Sequence, residues 1–183
     1  MASAAMKAVG SVSGNQPRVQ RIIENAAQTF ESGTPLQIDA ASGSLEAWDG
    51  STVTRGIAGI STEGGANLTT AGVAETENFG SVPYQASAVN IPRGAPLNDG
   101  MTGCEVAAQD TVFEGEMDSS ITVDETLIGD HYGMTIDSDG HWYIDSAKTT
   151  IGTNTVCVIV GISEYNTRGV RFIFEQAVQA LGA

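Results

Sequence analysis

Turn signals recur roughly every ten residues from Phe30 onward, and this spacing constrains the fold more than any other feature of the chain. The run ESGTP (31–35) leads into LQID, ASGS (41–44) leads into LEAW, and WDGS (48–51) turns the chain again. Segments this short suit strands better than helices, which need about 10–12 residues to bury a face. The abundance of Gly, 22 residues, points the same way, as do frequent Thr, Ser and Val.

The rest of the chain extends the pattern. GIAGIS (56–61) reads as a buried strand carrying Ile57 and Ile60. YQASAVNIP (84–92) alternates until Pro92 ends it, and turns follow at 94–96 and 98–100. CEVAAQ (104–109), TVFEGEM (111–117) and SITVDE (120–125) are three further strand candidates. HYGMTID (131–137) and HWYIDSA (141–147) flank Ser138-Asp139-Gly140, the strongest hairpin signal in the chain, because Asp-Gly accepts the positive φ a tight turn needs. TVCVIVGIS (155–163) is almost continuously apolar and predicts a central strand. GVRFIFEQAV predicts the last strand, with Val170, Phe172 and Phe174 on one face and Arg171 and Ile173 on the other, before a short helical turn. Residues 18–30 fit either a helical stripe or a strand at 19–24 with a turn at 25–27, and the β context favours the strand. Two segments carry little core: residues 1–16, small and polar, and the Gly-rich excursion at 62–79.

The expected architecture is therefore mainly β: a single antiparallel barrel, β-tulip-like module or sandwich over residues 28–183, with an extended arm over residues 1–27. Charge divides at nearly the same place. Residues 1–23 hold Lys7, Arg18 and Arg21 and no acid, whereas residues 24–183 hold 22 acids against five basic residues, a net of −17. A flexible basic arm on an acidic body makes Lys7, Arg18 and Arg21 the candidate partner-binding residues. The acidic body argues against nucleic-acid backbones and anionic membranes as partners. No stretch reaches the roughly 18 apolar residues of a membrane span, and the first 17 residues lack the apolar core of a secretion signal. Synthesis in a cytoplasm is the expectation. Cys104 and Cys157 lie in apolar, strand-like surroundings and read as buried reduced thiols.

Catalytic patterns are sparse. The two histidines, His131 and His141, flank the hairpin, and a Ser-His-Asp set would need Asp130 or Asp137 with one of many serines, without a G-x-S-x-G elbow. The same histidines with Asp130, Asp137 and Asp139 offer metal ligands, and Asp137-Ser138-Asp139-Gly140 matches the opening of a calcium loop. The later ligands and terminal Glu of such a loop are missing, so the segment reads as a turn, with no metal or cofactor expected. Close carboxylate pairs, Glu114 with Glu116 and Asp124 with Glu125, read as solvated faces. Trp48, Tyr84, Trp142 and Tyr143 would serve a sugar-binding platform only if exposed.

In their order along a short acidic chain, QTFESGTPLQID (28–39), LEAWDGSTVTRGIAGIS (45–61), GMTIDSDGHWYIDSAK (133–148) and VCVIVGIS (156–163) resemble the decoration, or cement, proteins of tailed-phage capsids. With the last strand, the similarity covers most of residues 28–175. The resemblance implies a non-enzymatic β module, often trimeric. Such a module sits on the outer surface of an expanded head, at junctions of the major capsid protein. It stabilises the shell against the pressure of packaged DNA, and its N-terminal arm touches the lattice or a neighbouring copy. The long 1–27 segment and the 62–79 excursion depart from simple members of that family. The competing expectation is a carbohydrate- or receptor-binding β module of head-fibre type.

Overall fold

The computed structural model describes residues 5–51, 56–66 and 100–181. They form two antiparallel sheets built from eleven strands: β1 Lys7–Ser11, β2 Val19–Ile23, β3 Pro35–Ile38, β4 Leu45–Ala47, β5 Ile57–Ser61, β6 Met101–Val106, β7 Thr111–Glu116, β8 His131–Ile136, β9 Trp142–Asp145, β10 Cys157–Ile162 and β11 Gly169–Phe174. One sheet runs β1-β7-β11-β10-β8-β9 and the other β2-β6-β5-β3-β4. Of the expected antiparallel forms, the sandwich-like one is found, because neither sheet closes. Each does curl. A bridge between Glu24 and Leu45 brings the ends of β2 and β4 together, and another joins Met117, beyond β7, to Ile144 on β9.

The larger core lines the inner face of the six-stranded sheet. Val170, Phe172 and Phe174 point into it from β11, as the alternation predicts, and meet Phe113 from β7. Phe113 lies 5.7 Å from Phe172 and 5.2 Å from Phe174 between ring centroids, in offset and edge-on arrangements that aromatic quadrupoles favour. A smaller core of Leu36, Leu45, Ala58 and Cys104 fills the five-stranded sheet, with Ile22, Phe30, Ile38 and Leu181 packed against it. Strand β5 serves both. Its pairing with β3 skips a residue between Leu36 and Gln37, and this bulge puts Ile57 and Ile60 together in the large core while Ala58 enters the small one. The bare backbone of Gly59 is required here, since a Cβ would run into the Glu105 carbonyl and the Cys104 sulfur.

The hairpin forms where expected. Ile136 pairs with Trp142, the Asp137 N–H donates to the His141 carbonyl at 2.9 Å, and Gly140 takes φ 89° at the end of a three-residue loop. β2 confirms the strand reading of residues 19–23, with the turn beyond it placing Ala27 at φ 58°. A short 3-10 turn at Gln176–Val178 ends the chain's fold, and Ala180 then donates to the Ile57 carbonyl at 2.9 Å, tying the tail across to β5.

Three expectations need correction. Residues 5–27 are not a flexible arm: β1 is an outer strand of one sheet and β2 of the other, and Met6 is buried in the large core at 3% exposure. The strand expected at 120–125 is absent. Asp118 and Asp124 capture nearby N–H groups there, Ser120 N at 2.8 Å and Thr126 N at 2.9 Å, which competes with ladder pairing and yields a 3-10 turn at Glu125–Leu127. β6 starts at Met101, three residues earlier than expected. The strand and turns expected at 84–99 lie outside the described residues, as does residues 67–79 of the excursion.

Two measurements follow. Phe172→Ala empties the centre of the aromatic cluster and should cost about 3–5 kcal/mol in urea denaturation. Asp118 also accepts from Ser146 N at 2.7 Å. Burial alone would raise its pKa, but the hydrogen bonds from Ser120 and Ser146 outweigh burial and hold it at about 2. A lowered folded pKa gives stability that is present above the ordinary aspartate value of about 3.9 and is lost as pH falls towards 2. Asp118→Asn should therefore be less stable than the parent at neutral pH, with the difference shrinking between about pH 4 and pH 2.

Candidate functional site

The groups able to do chemistry are dispersed by the fold. His131 opens β8 and His141 precedes β9, so the hairpin register leaves them at opposite ends of the strand pair. His131 Nδ1 lies 2.9 Å from Glu175 Oε1, and His141 Nδ1 lies 3.6 Å from Asp137 Oδ2. A combined site of both imidazoles, considered from the sequence, does not form. Asp130 is engaged elsewhere, accepting from the Tyr132 hydroxyl at 3.3 Å. Cys104 and Cys157 are free and buried, matching the expectation for them. Burial, with Glu105 nearby, pushes the Cys104 thiol up to about 12, and burial also raises that of Cys157. Both therefore stay protonated and poorly nucleophilic at neutral pH.

The aromatic platform is also dismantled. Trp48 and Trp142 stack on each other, centroids 5.1 Å apart and planes 16° from parallel, at 3% and 5% exposure. Neither offers a ring face to a sugar, and Tyr84 lies outside the described residues. The hairpin tip does assemble one cluster. Asp137, Asp139 and His141 bring one ligand atom each within 4.8 Å of the others, the single grouping of this kind among the described residues.

The three candidate partner-binding residues part company. Lys7 is exposed on β1, and Arg18 is exposed just before β2. Arg21 is instead a structural pin. Its guanidinium donates to Glu63 Oε1 at 2.6 Å and to the Met101 carbonyl at 2.7 Å. Glu63 is nearly buried and also accepts from Gly103 N at 2.7 Å. Beside it, the buried Glu24 accepts from Thr102 Oγ1 at 2.5 Å and Ala66 N at 2.9 Å, while its own N–H donates to the Gly100 carbonyl. Sequence reasoning missed this carboxylate network, because nothing local marks Glu24 or Glu63 as buried acids among 22.

A surface feature also escaped the sequence reading. Val158 on β10 pairs with Ile173 on β11, and the β11–β7 register places Val112 next in line. These three point away from the large core and remain only partly covered, and Val160, at the bulge in β10, is 37% exposed. The adjacent row on the same face runs Arg171, Glu114, Lys7 across β11, β7 and β1. The apolar run at 155–163 predicts a central strand. β10 is internal to its sheet, but only Cys157 and Ile159 on its inner side are fully buried.

No family model matches the chain, and neither a curated protein nor a solved structure matches it.

Replacing Arg21 by Ala leaves the Glu63 carboxylate without its cation and should destabilise the protein by about 2 kcal/mol. Lys7→Ala, at the surface, should stay within about 0.5 kcal/mol of the parent. Thermal or urea unfolding of the two variants measures the contrast.

Proposed function

We propose that this chain is a structural capsid decoration protein, acting without catalysis. It docks on the outside of an expanded phage head at junctions of major capsid protein subunits and holds the shell against the pressure of packaged DNA. Self-association as a trimer belongs to the same proposal. The observation that carries it is the outer face of the six-stranded sheet. An antiparallel sheet with one wet face normally alternates apolar with polar residues, yet here the outward positions carry Val112, Val158, Val160 and Ile173. Partly exposed apolar surface bordered by charge is a common mark of a protein contact. The Lys7–Glu114–Arg171 row alternates in sign and would orient a partner more than attract it.

The segments that resemble decoration proteins are those that build this body, namely β3, β4, β5, the β8–β9 hairpin and β10. The interior placement of both tryptophans, and of both thiols, fits a scaffold whose reactive groups serve packing. The docking element in this reading is a sheet face with Lys7 on it, in place of a loose arm.

Co-sedimentation with expanded heads tests the proposal. The native chain should pellet with the heads, and Val160→Asp should lose most of that binding while keeping its melting temperature within a few degrees, since the side chain is at the surface. A native chain that stays in the supernatant sinks the function. Equal pelleting of Val160→Asp sinks the face.

A further inference from the structure

The hairpin tip carries a constellation that the decoration reading does not use. We propose that Asp137, Asp139 and His141 form a binding site for a borderline divalent cation of the zinc type, with one imidazole nitrogen and two carboxylates as ligands.

The geometry supports it in three steps. First, the site is held in place. Asp137 Oδ1 accepts the backbone N–H groups of Asp139 and His141, both at 2.9 Å, so the carboxylate is fixed and its second oxygen stays available. Second, the other oxygen, Oδ2, lies against His141 Nδ1 at 3.6 Å. That is too long for a hydrogen bond. With metal–ligand bonds of about 2.0–2.2 Å, the same separation subtends an angle of about 120° at a shared cation. Asp139 places a carboxylate oxygen within 4.8 Å of both groups, so that a small side-chain rotation would bring it onto the same cation. Third, there is room beside the imidazole. A cleft of about 130 Å³ whose lining includes His141, Gly140, Trp142, Glu31 and Thr34 lies on the imidazole side, away from the two aspartates. Water would supply the remaining ligand.

The donor set selects the class of metal. Calcium takes six to eight oxygens, which this tip does not provide, whereas three ligands that include an imidazole suit Zn²⁺ and its neighbours. The loop makes the arrangement natural, because side chains at alternate positions around Asp137, Asp139 and His141 converge when Gly140 closes the turn with φ 89°.

Calorimetric titration of the metal-free full chain with ZnCl₂ tests the site. One saturable binding event is expected, weakened at least tenfold in His141→Ala and in Asp139→Asn, and unchanged in His131→Ala. Co²⁺ should give a visible d–d band in the parent that is absent from His141→Ala. The melting temperature of each metal-free variant reports whether it is folded, and the two tip variants provide independent readings should one of them fail. Absence of saturable binding would overturn the site. Equal affinity in the parent and both tip variants would do the same, since it would mark diffuse attraction to an acidic surface.

Discussion

Everything else in the fold depends on β5 being buried on both faces. A strand in a half-wet sheet needs apolar residues only at alternate positions, but all five residues of β5 are inaccessible. A regular strand would send Ile57 and Gly59 one way and Ala58 and Ile60 the other. The bulge opposite Leu36 and Gln37 breaks that alternation, so the two isoleucines act together on the large core and the small Ala58 fits the small one. Burying two isoleucines contributes about 3–6 kcal/mol, a large share of the net stability of an ordinary domain. The cost is steric. Gly59 must stay bare against Glu105 and Cys104, and Gly56 against Ala180. Any change on β5 is therefore felt in both sheets at once.

The two ends of the chain close this arrangement. The N-terminal segment supplies one outer strand to each sheet, passing from β1 through residues 12–18 to β2, with Val12 N donating to the Asp110 carbonyl and Val106 N to that of Arg18. It thereby covers the β6–β7 connection, where the chain crosses between sheets. The C-terminal segment does the converse, leaving β11 in the six-stranded sheet and bridging to β5 in the other through Gln179. The sheets are thus laced by both termini as well as by shared packing. This lacing explains how a segment of small polar residues, with little core of its own, takes its place as β1 and β2. Its backbone hydrogen bonds, more than its side chains, hold it.

How much of this was legible in the sequence follows from how local each signal is. Val170, Phe172 and Phe174 alternate within six residues and declare their shared face without outside help. Asp-Gly in the hairpin encodes its turn directly. The fate of residues 5–17 depends instead on pairing of β1 with β7, about a hundred residues away, and nothing in KAVGS announces it, while VQRII declares a strand but not its partner β6. Glu24 and Glu63 look like any other acids until the partners Thr102, Gly103 and Arg21 are brought to them. The apolar row of Val112, Ile173 and Val158 comes from three strands distant in sequence, so register alone creates it. The tip cluster sits between these extremes. Its spacing was visible, but the 3.6 Å approach of His141 to Asp137 required the turn to be built.

The partition of charge takes on a different meaning in the folded molecule. A net of −17 over residues 24–183 suggests an acidic body that a basic leader would complement. In the structure, several cations serve as internal pins. Arg21 holds Glu63, Arg168 holds Glu116 at 2.6 Å, and Lys148 Nζ caps the Met134 carbonyl at 2.6 Å. Removing Arg21 or Arg168 strands a largely buried carboxylate, so these two bonds are costly to exchange for contacts with another molecule. In the proposed docking, recognition through the six-stranded sheet would rest on pattern and apolar area, since Lys7, Glu114 and Arg171 alternate in sign and leave a net of only one positive charge. Attraction between net charges fades beyond a Debye length of about 8 Å at physiological salt. Contact across an apolar row is far less sensitive to salt, so docking by this face, as proposed, would persist under ionic conditions that release an electrostatic clamp.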